Sequence, residues 1–153
     1  MAGGSCCLNR QIILTTGDIE RISQFVGTRE FYTMEAPESW YLEPSYDPDW
    51  LPLVMKPGNV LRVLKRNREK NCEMLTDKGC RLPFSIRPLI CQLHPYMHTE
   101  KGILGVDESC PISKEKESNA ILEQLDMPLV KAREWQKKLY LELNSERNGM
   151  AAR

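Results

Sequence analysis

The chain reads as a small single domain of the α+β class, with helices toward both ends and a short antiparallel strand meander between them. Three patterns carry that expectation. Residues 15–27 form a capped amphipathic stretch, apolar residues recur at helical spacing between 121 and 139, and short apolar runs broken by turns fill 60–80. At 153 residues the chain is long enough to build one core. The expected boundaries are 1–143 for the domain and 144–153 for a polar C-terminal tail that frays.

In LTTGDIERISQFVG, Thr15 or Thr16 can cap a helix, Asp18 and Glu20 suit its first turn, and Gly27 can end it. Ile19, Ile22, Phe25 and Val26 then share a core-facing side. A second short helix is expected over 28–36, with Phe31 and Met34 pointing inward. Residues 37–59 carry five prolines among Trp40, Tyr41, Tyr46 and Trp50, a mixture that suits an ordered loop. Its rings either close over a ligand or pack on the core, and packing is the commoner use of large aromatics. VLRVLKRN from Val60 reads as a strand, pairing with 72–75 across a polar turn, and TDKG turns the chain into a third strand at Cys80. GILGVDESCP reads as a strand delivering Cys110. Ser113 caps a helix running to about Leu125, and Asp126-Met127-Pro128 starts another running to about Leu143. Ile121, Leu125, Leu129, Ala132, Trp135 and Leu139 form its apolar face, which covers the core and can also meet a protein partner.

Residues 72–91, CEMLTDKGCRLPFSIRPLIC, concentrate the chemistry. Cys72, Cys80 and Cys91 are separated by seven and then ten residues. Thiolates are soft anionic ligands, so thiols on short tethered loops suit zinc, iron or an iron-sulfur cluster better than magnesium or calcium. The N-terminus has no positively charged leader and only Ile12, Ile13 and Leu14 as a continuous apolar run, so a cytoplasmic location is the expectation. In a reducing compartment six cysteines stay thiols and favour metal ligation; three disulfides are the alternative in a secreted chain. Cys7, Cys72, Cys80 and Cys91 are the foremost ligand candidates, because three come from the central segment and a fourth must arrive from a distance. Cys6 and Cys110 follow. A single ion would use four, and a cluster with an accessory thiol pair would use all six.

Pro88 can start a short helix carrying Cys91, placing Arg87 where a guanidinium offsets thiolate charge or makes an ordinary salt bridge. His94 and His98 are four apart and could share a helix face, His94 as a mixed ligand and both as second choices to the thiols. Equal numbers of acidic and basic residues, 21 each, give no global drive toward nucleic acid. The local cluster Arg62, Lys65, Arg66, Arg68 and Lys70 reads first as a charged, solvated strand edge. No apolar run approaches the roughly 20 residues of a membrane span.

The pair Cys6-Cys7, then LTTGDIERI, the C-x7-C spacing, the box Arg87-Pro88-Leu89-Ile90-Cys91 and a later Cys-Pro together resemble the YkgJ-type cysteine cluster family, a zinc- or iron-chelating domain whose relatives include flagellin lysine N-methylases. The resemblance spans roughly residues 3–111. Family members commonly open with CxxCC, where this chain has Gly3 at the first position, and follow the box with Tyr-Pro-Phe, where it reads His94-Pro95-Tyr96. What the resemblance implies is metal or iron-sulfur binding without a particular reaction. Three functions follow from the residues and the resemblance together. The first is a metal-binding protein whose site staples the fold or carries electrons. The second is a protein-modifying enzyme of the lysine N-methylase kind, and the third a metal-free interaction module.

Overall fold

The computed structural model describes residues 10–39, 47–94, 96–106 and 127–151. Among them are four helices, α1 (Thr16–Val26), α2 (Trp50–Val54), α3 (Leu89–Leu93) and α4 (Leu129–Ala151), and six short strands. The strands pair antiparallel in twos: β1 (Tyr32–Glu35) with β2 (Leu61–Leu64), β3 (Leu75–Thr76) with β4 (Gly79–Cys80), and β5 (Tyr96–Thr99) with β6 (Gly102–Val106). The α+β class with helices toward both ends is therefore the observed one. The expected pairing of β2 with 72–75 shrinks to an isolated bridge between Arg66 and Cys72 plus a bond from Glu73 N to Lys65 O, 3.1 Å. Instead β2 takes β1 on one side and Ile13 on the other.

That central position of β2 explains why 28–36 is not the helix its composition favours. Gly27 ends α1 in the left-handed region at φ 81°, and Tyr32–Glu35 then fills the open ladder of β2, a tertiary demand that outweighs local propensity. Phe31 is buried as expected, whereas Met34 is 45 % exposed on the outer face. Ile12, Ile13 and Leu14 lie extended, bonded through Leu14 N to Arg62 O and Leu64 N to Ile12 O. Their side chains alternate, Ile12 and Leu14 to one core cluster and Ile13 to the other, as the two-residue period of extended chain requires.

One cluster packs Leu53, Val54, Leu61, Val63, Leu89 and Leu93 under Ala132, Leu139, Tyr140 and Leu143 of α4. The other gathers Ile19, Ile22, Phe31, Leu64, Met74 and Leu82. In α1 the buried stripe is Ile19, Ile22 and partly Val26, while Phe25 falls outside it at 51 % exposed. Leu129 is likewise exposed, so the inward face of α4 begins at Ala132. Trp50 packs on the first cluster, edge-on to His98 and Tyr140 with centroids 5.9 Å away, which is the packing reading of that aromatic. Trp40, Tyr41, Tyr46, Cys6, Cys7, Cys110 and the stretch 113–125 lie outside the described residues.

Where a fraying tail is expected from Asn144, the helix continues to Ala151. Asn144 donates to Glu100 Oε1 at 3.0 Å. Glu146 accepts from Thr16 N at 3.1 Å, pairs with Arg62 and stands 3.8 Å from Lys56. The basic cluster is thus partly neutralised internally, since Arg66 also pairs with Glu35 and Glu38.

The most constrained polar group is Asp18, 0 % exposed. As the third residue of α1 it closes a capping box: its Oδ2 accepts Thr15 N at 3.0 Å while Asp18 N donates to Thr15 Oγ1 at 2.9 Å. Its Oδ1 accepts Leu89 N at 3.1 Å and Arg21 at 2.9 Å. Burial pushes this carboxyl above its ordinary range, and the bonds from Thr15, Arg21 and Leu89 oppose that push. Replacing it by Ala strands two buried backbone donors, Thr15 N and Leu89 N, and leaves Arg21 with Glu142 as partner. Asp18→Ala should therefore cost about 3 kcal/mol in urea unfolding. Glu20→Ala, which breaks only an exposed pair with Arg29, should leave the midpoint nearly unchanged.

His98 is not on a helix with His94 but on β5, 8 % exposed, its Nδ1 2.9 Å from Tyr140 Oη. Burial lowers its pKa from 6.5 to about 4. The unfolded chain takes up a proton near 6.5 and the folded one only near 4, so stability is full above the first value and falls as pH drops toward the second. The loss across that window is about 3 kcal/mol. Stability measured against pH should slope between 6.5 and 5, and His98→Asn should flatten that slope; an unchanged slope would count against a neutral buried imidazole.

Candidate metal centre

Each of the three described cysteines is placed by a different local device. After β2 the chain turns tightly, with Asn67 N bonded to Asn71 O at 2.8 Å and Asn67 Oδ1 accepting the N–H groups of Glu69 and Asn71. This turn brings Cys72 back beside Arg66. Cys72 then begins a second turn, in which Leu75 N donates to its carbonyl at 3.1 Å and Met74 N donates to its Sγ at 3.4 Å.

Cys80 lies in β4, opposite Leu75. The intervening turn closes through Thr76 Oγ1 to Gly79 O at 2.7 Å, and Gly79 takes φ 99°, a conformation that costs glycine little. Cys91 is carried by α3, which starts after Pro88 as expected, with Cys91 N bonded to Pro88 O at 2.8 Å. Arg87 holds the approach to that helix: its Nε donates to Leu82 O at 3.0 Å and its guanidinium lies 5.6 Å over the Phe84 ring. Gln92, buried one residue beyond Cys91, donates to Arg87 O at 2.7 Å. Arg87 therefore organises backbone, where a salt bridge or a charge-offsetting role is the expectation from sequence.

All three thiols belong to one apolar neighbourhood. Cys72 is buried inside the second core cluster, and Cys80 and Cys91 are half-buried against it. Among the described residues no group of three His, Cys, Asp or Glu side chains converges closely enough to hold a metal ion. Cys6, Cys7 and Cys110, the other candidates, lie outside them. The donor set fits a soft ion or cluster: the three thiols are set in apolar surroundings, and one sulfur accepts a backbone N–H.

The histidines divide. His94 is the C-cap of α3, three residues beyond Cys91, and His98 belongs to the other cluster with Tyr140 and Trp50. Sequence reasoning missed Asp18 as a part of this region. Its capping-box spacing was legible, yet nothing in the chain signals that its second oxygen reaches the N–H of Leu89, two residues before Cys91. A cleft of about 420 Å³ also borders the region, lined by Val26, Thr28, Phe31, Cys72, Met74 and Leu75 among others.

No curated protein and no solved structure matches this chain. The sequence model of the CxxCxxCC family, described as a "putative zinc- or iron-chelating domain", matches residues 1–111, a span that includes all six cysteines. By this match the chain belongs to the CxxCxxCC family of zinc- or iron-chelating domains.

Proposed function

We propose that this protein is a cytoplasmic metal-binding protein in which Cys7, Cys72, Cys80 and Cys91 hold zinc or an iron-sulfur cluster, with Cys6 and Cys110 as the further thiols a cluster would recruit. One observation carries the reading: three cysteines delivered by a turn, a strand and a helix all meet the same apolar cluster, and Cys72 Sγ accepts the Met74 N–H. Buried thiols alone suit a core. Their gathering from three separate devices, in a chain of a metal-chelating family, supports ligation.

The bound group would tie the N-terminal Cys7 segment to the 72–91 loops, contributing folding energy to a region of two-residue strands. Thiol ligation supports a reducing compartment. Among the described residues no helix is long and apolar enough to cross a membrane.

Anaerobic purification followed by metal and acid-labile sulfide analysis tests the reading. Equal iron and sulfide with brown colour identifies a cluster, and zinc without colour identifies a single-ion site. Neither would leave the metal-free interaction module. Cys80→Ala and Cys91→Ala should each abolish binding and lower the melting temperature, and full metal content in both variants would remove these residues from the ligand set.

A further inference from the structure

The backbone on the two sides of β2 ends in edges of unlike character. On one side Leu14 N donates to Arg62 O and Leu64 N to Ile12 O, so the groups facing away from β2 belong to Gln11 and Ile13, and both residues are buried. On the other side Lys65 N donates to Phe31 O, and Tyr32–Glu35 runs antiparallel to Leu61–Leu64. Antiparallel pairing alternates, so Thr33 and Glu35 turn their backbone groups to β2 while Tyr32 and Met34 turn theirs outward. Among the described residues nothing bonds those outward groups, and the Met34 side chain is exposed. Tyr-Thr-Met-Glu has no Pro, Gly, Lys or Arg to guard this edge, whereas β5 and β6 carry a bulge at Met97/His98 and positive-φ glycines at Gly102 and Gly105. Its one charge, Glu35, is engaged by Gln11 and Arg66.

We infer that this edge takes the same strand of a second copy of the chain, in an antiparallel two-fold pairing centred on Thr33. The occupant follows from the register. Outward groups must meet outward groups, so Tyr32 faces Tyr32, Met34 faces Met34, or each Tyr32 faces the other copy's Met34. The first two run past an end of the strand, setting Met34 against Glu30 or Tyr32 against Ala36. The third overlaps β1 most fully, and its two Tyr32–Met34 pairs supply about four backbone hydrogen bonds. It also sets an aromatic ring against a thioether twice, Thr33 against Thr33, and Glu35 against Phe31, so no like charges stand opposite. A continuous sheet then crosses the two-fold axis. Four residues on each side make a small contact, so the association is weak and depends on concentration. It stands apart from the metal-binding reading, since neither strand carries a thiol.

The test combines sedimentation of the full-length, reduced protein with residue-resolved amide hydrogen exchange. The wild type should pass from monomer toward dimer between about 10 µM and about 1 mM. Over that range the Tyr32 and Met34 amides should become protected, while Thr33 and Glu35, already bonded to β2, stay protected throughout. Met34→Pro removes an outward N–H and leaves the bonds to β2 in place, as an edge proline does. Two bonds are lost by symmetry, so the dimer should weaken about tenfold or more. Met34→Lys, a charge on an exposed side chain, should also shift the protein to monomer without touching the backbone, which keeps the test decisive if the proline variant fails to fold. Leu141→Lys, at an exposed position of α4, should dimerise like the wild type. A protein monomeric at every concentration would overturn the pairing. So would a dimer that leaves Tyr32 and Met34 exchange unchanged or that Leu141→Lys dissolves, and so would protection of those two amides already present at the lowest concentration.

Discussion

The arrangement depends on a single buried carboxylate. Asp18 binds Thr15 of its own helix cap, Arg21 one turn on, and the backbone N–H of Leu89 at the start of α3. A buried carboxylate is tolerable only when its oxygens are satisfied, and here the donors come from two helices. The position of α3 is thereby set by α1, and Cys91 sits two residues into the helix so held. The contact is polar and directional, which gives a fixed placement that apolar packing alone would leave looser.

α4 extends the same logic along its length. Glu142 receives Arg21 at 3.0 Å and pairs with Thr15 Oγ1, and one turn later Glu146 receives Thr16 and Arg62. The N-terminus of α1 leaves donors that two successive acidic side chains of α4 satisfy. Arg21 and the Thr15 hydroxyl together hold the Glu142 carboxyl below its ordinary range despite its partial burial. A Cβ at Gly17 would meet the Glu142 carboxylate, so a side chain there would push that carboxylate away from Thr15 and Arg21. The motif LTTGD is therefore a docking surface for α4 as much as a helix start.

The two core clusters share the work unequally. The first is the larger aliphatic and aromatic core under α4 and carries His98 neutral against Tyr140. The second is smaller, bounded by two-residue strands and turns, and holds Cys72 with Cys80 and Cys91 at its edge. Short strands and loops bury little apolar area on their own, so the thiol-bearing side is where a bound metal would contribute most.

Much of this was legible in local pattern. The Thr15 cap, the Gly27 stop, the strand at Leu61–Leu64, the turn before Cys80 and the helix after Pro88 each follow from side-chain chemistry within a few residues, and so does the concentration of soft ligands in 72–91. What sequence could not settle depended on distant partners. Tyr32–Glu35 became a strand because β2 needed a neighbour, and 144–151 stayed helical because Glu146 and Asn144 found Arg62, Thr16 and Glu100. Spacing and composition thus determined the class of the protein and its thiol chemistry, since caps, turns and ligand softness are properties of single residues and near neighbours. Only the tertiary structure decided which oxygen of Asp18 holds which helix, and that three cysteines share one apolar cluster, because those relations join residues up to about seventy positions apart and exist only once both ends are buried together.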